Sequence, residues 1–379
     1  MKFLTIFNEG AGKSHLYKDV GMIAYSLSRY CGWQTSFASL EGTDGYTVSD
    51  EHYSEYVQLV NIPNSKSKLK KSILFFKFLY YVAHNYDVVS FISLGVRTRK
   101  NALILKLLNP KIKIYVKADA TAEALEGGYI HKFNKNKLRA WFLHKLENCI
   151  DLYSFETPKA VERAIAAKIT HSNVICVPNG YLEDLEMHYK EHSKENIIIT
   201  VGRIGHVDKY NELLVDAIKN IDKQKLCGWQ VCFVGPVTAE FEKYVHDVCA
   251  DKEYLKKVFV FTGTIDNKPD LYKIYAKAKV FCMTSRREGF ANVFPEALSF
   301  GDYVITADIP VAYYVTNNRQ LGKIFPMGDA KGLQLAIEEV LDGKIDLHSE
   351  AAKAIDFAKT KLSWQVVIKP LAEKLEQLK

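Results

Sequence analysis

Two carboxylates eight positions apart, Glu288 and Glu296, bracket the turn-permissive stretch Gly289-Phe290-Ala291-Asn292-Val293. An ionised carboxylate is an acceptor through both oxygens, which suits it to sugar hydroxyls. The apolar run Lys279–Met283 predicts a buried strand ending at Thr284, and Pro295–Phe300 predicts a helix stopped by Gly301. Glu288 is therefore expected in a strand-exit loop and Glu296 about one turn inside the following helix. Open α/β sheets bind ligands at the carboxyl ends of their strands. Loop amides and a helix N-terminus there favour an anion such as a diphosphate. Two glutamates at this spacing also occur as plain solvated surface groups, so the neighbouring segments have to decide.

Two such segments stand out. Val201–Leu213 leaves another predicted strand and carries Gly202-Arg203 and, six residues on, Lys209. Arginine offers phosphate oxygens a planar fork and lysine a mobile point charge, so the pair could neutralise a diphosphate. Taken singly, both residues read more readily as solvated surface. Thr262-Gly263-Thr264-Ile265 leaves a third predicted strand and reads on its own as an ordinary turn.

In combination these segments resemble the family 4 glycosyltransferases, retaining enzymes of the GT-B fold with an E-x7-E signature. The resemblance is strongest over residues 179–325. It implies that Glu288 contacts the donor sugar and Glu296 the ribose hydroxyls, with Gly289, Phe290, Ala291, Asn292 and Val293 lining the donor loop. Gly202, Arg203 and Lys209 match the family's Gly-Arg…Lys-Gly phosphate element, although Tyr210 stands where the family usually has glycine. Gly263 and Thr264 fall where the nucleotide base is met through backbone groups. The N-terminal loop with Gly10, Ala11 and Gly12 would lie near the diphosphate. The family often places a histidine after a central N-terminal strand. Here Lys117 or Asp119 occupies that neighbourhood, Asp119 being the better candidate for a sugar or acceptor contact and equally readable as a helix N-cap.

The implied catalytic set is Glu288, Arg203, Lys209 and Asp119. The implied reaction moves a hexosyl unit from a UDP- or GDP-sugar to a glycan or lipid-linked acceptor, as in bacterial surface polysaccharide synthesis, with no metal and no cofactor. A GT-B nucleotide-sugar epimerase and a non-catalytic membrane-binding protein are the alternatives. Gly12-Lys13-Ser14 imitates the end of a P-loop, but that pattern needs glycine at position 7, which is Phe7.

The elements that must position these residues follow from pattern. Short apolar runs alternate with helical stretches from Phe3 to Lys168, and the alternation restarts at Ile197, which predicts two parallel-sheet α/β units. A length of 379 residues exceeds what one core usually serves. The turn Val177-Pro178-Asn179-Gly180 divides the chain into an acceptor-binding Rossmann-like domain, 1–178, and a nucleotide-sugar-binding one, 179–360. The segment 361–379 is expected to cross back to the N-terminal domain as an amphipathic helix, and the two domains to face each other across a cleft.

Composition narrows the classes further. With 48% hydrophobic and 25% charged residues the chain reads as globular, and no apolar run is long enough to span a membrane. The first residues do not form a signal-peptide core, so a cytoplasmic protein is expected. Seven scattered cysteines form neither a C-x-x-C pair nor a zinc spacing and read as reduced. The net charge of +7 is uneven: twelve basic residues and only Asp87 lie between Lys66 and Lys117, +11 locally, leaving −4 elsewhere. Lys66, Lys68, Lys70, Lys71 and Lys77 surround aromatic and aliphatic residues. That stretch reads either as a helix lying on an anionic membrane at the inner face of the cell membrane or as a core helix with a solvated, lysine-rich start. Nucleic acid is not expected, since no binding module accompanies the basic field.

Overall fold

The computed structural model describes residues 1–42, 47–118, 146–166, 173–183, 193–265 and 267–378. They divide into two compact units, Met1–Asn179 with Trp364–Lys379, and Gly180–Ser363.

The first unit is built on seven strands: β1 (Lys2–Phe7), β2 (Gln34–Leu40), β3 (Val57–Ile62), β4 (Val88–Ile92), β5 (Lys113–Lys117), β6 (Leu152–Phe155) and β7 (Asn173–Cys176). They hydrogen-bond in the order β3-β2-β1-β4-β5-β6-β7, all parallel. The strands are near-continuous apolar runs because helices cover both sheet faces. The alternation expected from sequence ends at Lys168, so β7 is an addition. Its four residues run directly into the Val177-Pro178 turn, too short a stretch to register beside so strong a turn signal. The helix after β4 spans Val96–Leu108, with Gly95 as its N-cap.

The second unit contains β8 (Ile197–Val201), β9 (Gln230–Val234), β10 (Phe259–Gly263), β11 (Val280–Met283), β12 (Tyr303–Ala307) and β13 (Lys323–Phe325). Their order is β10-β9-β8-β11-β12-β13, again parallel. Consecutive strand residues feed opposite cores, as the twofold strand period requires: Ile198, Val231 and Phe233 on one face, Ile199, Cys232 and Val234 on the other. Strand order reverses between β8 and β11, so the chain leaves these neighbours towards opposite sides. That divergence opens a crevice at their carboxyl ends.

The chain returns to the first unit through the helix Trp364–Gln377. Trp364, Ile368, Leu371 and Leu375 are buried there, and Lys113 Nζ donates to the Leu375 carbonyl at 3.0 Å. Among the described residues no helix is long and apolar enough to cross a membrane.

Candidate active site

The second unit's switch point is where the sequence-selected residues gather. The loop after β8 carries Gly202, Arg203 and Lys209, and the loop after β11 carries Glu288. Lys209 Nζ donates to Glu288 Oε1 at 2.6 Å, tying the two loops together. Two further bonds fix the same junction: Thr284 Oγ1 donates to the Lys209 carbonyl at 2.9 Å, and the Arg286 amide to the Asp208 carbonyl at 2.8 Å. A recess lined by Thr200, Gly202, Lys209, Asn211, Thr284 and Ser285 lies beneath them.

Glycines make this approach possible. Gly202 has φ 152°, and a Cβ there would sit 3.4 Å from Cε of Lys209. Gly235, at the end of β9 with φ 133°, could carry no side chain, because its Cβ would fall 1.9 Å from the Gly202 carbonyl oxygen. The Gly235 amide in turn donates to the carbonyl of Gly263 at 3.0 Å. Three strand exits are thereby linked by backbone at one end of the sheet. Gly263 stands on this chain of contacts and Thr264 is exposed beside it.

Tyr210 is the position where the sequence departs from the resembled pattern, and the backbone there has φ 48°. The left-handed conformation that glycine adopts freely is thus kept by a tyrosine, at the expense of local strain. The Arg286 guanidinium lies over the Tyr210 ring, 3.9 Å from its centroid, a contact that offsets part of that strain. Arg287 pairs with Asp208 at 3.0 Å. Asp208, Tyr210, Arg286 and Arg287 were not among the residues chosen from sequence. The doublet Arg286-Arg287 directly before Glu288 was the available signal.

Glu296 occupies the second position of the carboxylate pair but a different setting. It lies in the seven-residue helix Val293–Ser299 and is only 4% exposed. One oxygen is bound by Lys268 and the other accepts from the Tyr275 hydroxyl at 3.3 Å. Burial, reinforced by Glu296, holds the Tyr275 phenol well above its ordinary range. Phe290, chosen as a donor contact, turns its side chain into the core, edge-to-face with Tyr314 at 5.8 Å. Only its backbone is left to line the loop. Gly289, Ala291, Asn292 and Val293 are partly exposed, and Arg203 is exposed with no ion pair among the described residues.

The first unit has a charged cluster of its own at the carboxyl end of its sheet. Lys117, the last residue of β5, is wholly buried. Its Nζ lies 2.9 Å from Asn179 Oδ1, 3.3 Å from Glu156 and 3.9 Å from Asp19. Burial pulls the Lys117 ammonium towards neutrality, but Glu156 and Asp19 overcome it and leave its pKa above the usual lysine value. Ala11 is buried, Gly10 and Gly12 are at least partly exposed, and Gly12-Lys13-Ser14 opens a four-residue helix. Lys13 is 69% exposed and stands 3.9 Å from Asp50. Asp119 lies outside the described residues. Among the described residues no group of three His, Cys, Asp or Glu side chains is placed to hold a metal ion.

Residues 183–360 match the family of glycosyl transferases group 1. No curated protein matches the chain in sequence. Solved structures similar to it include sucrose-phosphate synthase from Thermosynechococcus elongatus, at 16% identity and TM-score 0.70, covering 100% of this chain and 99% of that one. HepE from Anabaena in complex with UDP-glucose aligns at 15% identity and TM-score 0.70 over 100% of both chains. The lipopolysaccharide outer core galactosyltransferase WaaB, in its apo form, aligns at 15% identity and TM-score 0.67 over 99% of both. Two parallel-sheet units of this kind make up the GT-B fold, and the match over residues 183–360 gives the chain a glycosyltransferase domain in its second unit.

Proposed function

We propose that the protein is a retaining, family 4-type hexosyltransferase that takes its sugar from a nucleoside diphosphate donor held by the second unit. The observation that carries this reading is the 2.6 Å Lys209–Glu288 pair, which places a cation and a sugar-type acceptor side by side at the β8/β11 switch point. As the bond from the sugar's C1 to the diphosphate oxygen lengthens, the sugar becomes oxocarbenium-like and negative charge collects on the β-phosphate. Lys209 and Arg203 stabilise that charge without a metal. Glu288 orients the donor sugar and holds the Lys209 ammonium at the strand exits. The departing phosphate accepts the acceptor's proton, so no dedicated base is needed. Glu296 accepts from the ribose hydroxyls, which requires Lys268 to yield one carboxylate oxygen.

The UDP-glucose complex of HepE, on the same fold, makes UDP-glucose the first donor to test. The acceptor class is a glycan or a lipid-linked glycan. Thermal-shift and calorimetric titration with UDP-, GDP- and ADP-sugars in excess EDTA tests the donor half. One nucleotide sugar is expected to bind without metal, and Glu288→Ala is expected to remove nearly all transfer while the fold stays intact. Full turnover in that variant, or activity restored only by added metal, overturns the mechanism. Donor isomerised in the absence of any acceptor assigns an epimerase instead.

A further inference from the structure

The helix Lys68–Asn85 is apolar on two faces, and the fold uses only one. Phe78, Leu79, Val82 and Ala83 are buried in the core of the first unit. Leu69, Ile73, Phe76 and Tyr80 are 73%, 50%, 51% and 55% exposed. Intervals of four, three and four residues place these on one stripe of the helix surface. A helix that had only to cover a sheet would be polar there.

Charge surrounds the stripe. Lys66, Lys68, Lys70 and Lys77 are exposed and Lys71 is half-buried, and none of the five makes an ion pair among the described residues. The helix contains no Asp or Glu. Three of the lysines sit in its first turn, where no acid accompanies them and where the helix dipole disfavours cations. They therefore oppose the stability of their own helix. On the neighbouring helix Val96–Leu108, Arg97 extends the basic border, its guanidinium 5.9 Å from the Phe75 ring centroid.

From this arrangement we infer that the face docks on an anionic lipid bilayer. The stripe enters the boundary between headgroups and acyl chains, and the lysine ammoniums meet the lipid phosphates. A bilayer supplies both halves of the complement at once. Nucleic acid offers phosphates but no apolar phase for Leu69, Ile73 and Phe76. A second copy of this chain would bring its own lysines against these. The inference does not rest on the donor chemistry. It does place the protein where a lipid-linked acceptor would be found.

The test is flotation of the full chain with phosphatidylcholine vesicles, with and without 30 mol% phosphatidylglycerol. Binding is expected only with the anionic lipid and should fall as salt is raised. The triple variant Lys68→Ala, Lys70→Ala, Lys71→Ala should bind about 100-fold more weakly, at about fivefold per lysine. The quadruple variant L69S/I73S/F76S/Y80S should lose binding with an unchanged unfolding midpoint, since these side chains are exposed. Absence of wild-type binding to the anionic vesicles overturns the inference, as does wild-type binding by either variant. A dimer in light scattering that the quadruple variant dissolves, without vesicle binding, assigns the face to self-association and equally overturns it.

Discussion

Each unit places a lysine against a glutamate at the carboxyl edge of its sheet, and the two pairs sit in opposite environments. Lys117 and Glu156 join the neighbouring strands β5 and β6, with the Lys117 side chain 0% exposed and Glu156 5%. Lys209 and Glu288 join the loops after β8 and β11, at 18% and 13% exposure. The chemistry is the same, but the position in the topology is not. β5 and β6 lie away from the first unit's order reversal, which falls between β1 and β4; the pair there is buried, and Asn179 accepts from Lys117 and donates to Glu156. β8 and β11 are the reversal of the second unit, so their loops diverge and leave the charges facing a crevice. A buried pair braces structure. A pair at a switch point stays open to a ligand.

The sharpest test of that contrast is Lys117→Met, which leaves the buried Glu156 and the partly buried Asp19 without their counter-charge. It should destabilise the protein by about 3–5 kcal/mol in denaturant titration. A loss below about 1 kcal/mol would break the distinction. Lys209→Ala is the counterpart: turnover should fall about 10²–10³-fold, while unfolding stability changes by about 1 kcal/mol or less because water can solvate Glu288. Equal stability losses in both variants would show that the crevice pair is structural as well.

A smaller effect separates strain from stacking in the same loop. Tyr210→Gly and Tyr210→Ala both remove the Arg286 stack, but only glycine relieves the left-handed backbone. The glycine variant should therefore be the more stable by about 1 kcal/mol. Alanine proving equal would mean the backbone there is not strained.

A pH-dependent effect concerns buried Asp302 and its partner Lys194, an ion pair of the second unit that lies away from the proposed chemistry. Burial outweighs Lys194 and pushes the Asp302 carboxyl up to about 7. Between about pH 4 and 7 the folded state then holds a proton that the unfolded state has released. Stability must decline as pH rises through that window. Asp302→Asn should flatten the decline, and a wild-type stability that instead rises over the same range contradicts the assignment.

Much of the second unit was legible in advance because its signals are local. Apolar runs such as Val280–Met283 name a strand by composition, and the residues between Glu288 and Glu296 mark a turn by their size. The placement of Glu288 in a strand-exit loop and Glu296 inside the next helix agrees with the structure. The partners of these two carboxylates could not be read the same way. Lys209 is 79 positions from Glu288 in sequence, and Lys268 is 28 from Glu296. The four-residue strand β7 was hidden by the turn beside it, and the inward rotation of Phe290 depends on Tyr314.

By itself the sequence determined the alternation of strands and helices, the two-unit division and the kinds of side chain at each strand exit, because these depend on composition and short-range period. It also held the two apolar faces of the helix Lys68–Asn85. Only the tertiary structure decided which of those faces is buried, which lysine meets which carboxylate, and which charge pair remains open to solvent. Strand order, set by long-range pairing and packing, brings remote loops to one edge or seals them, and that order is not written in any local stretch of residues.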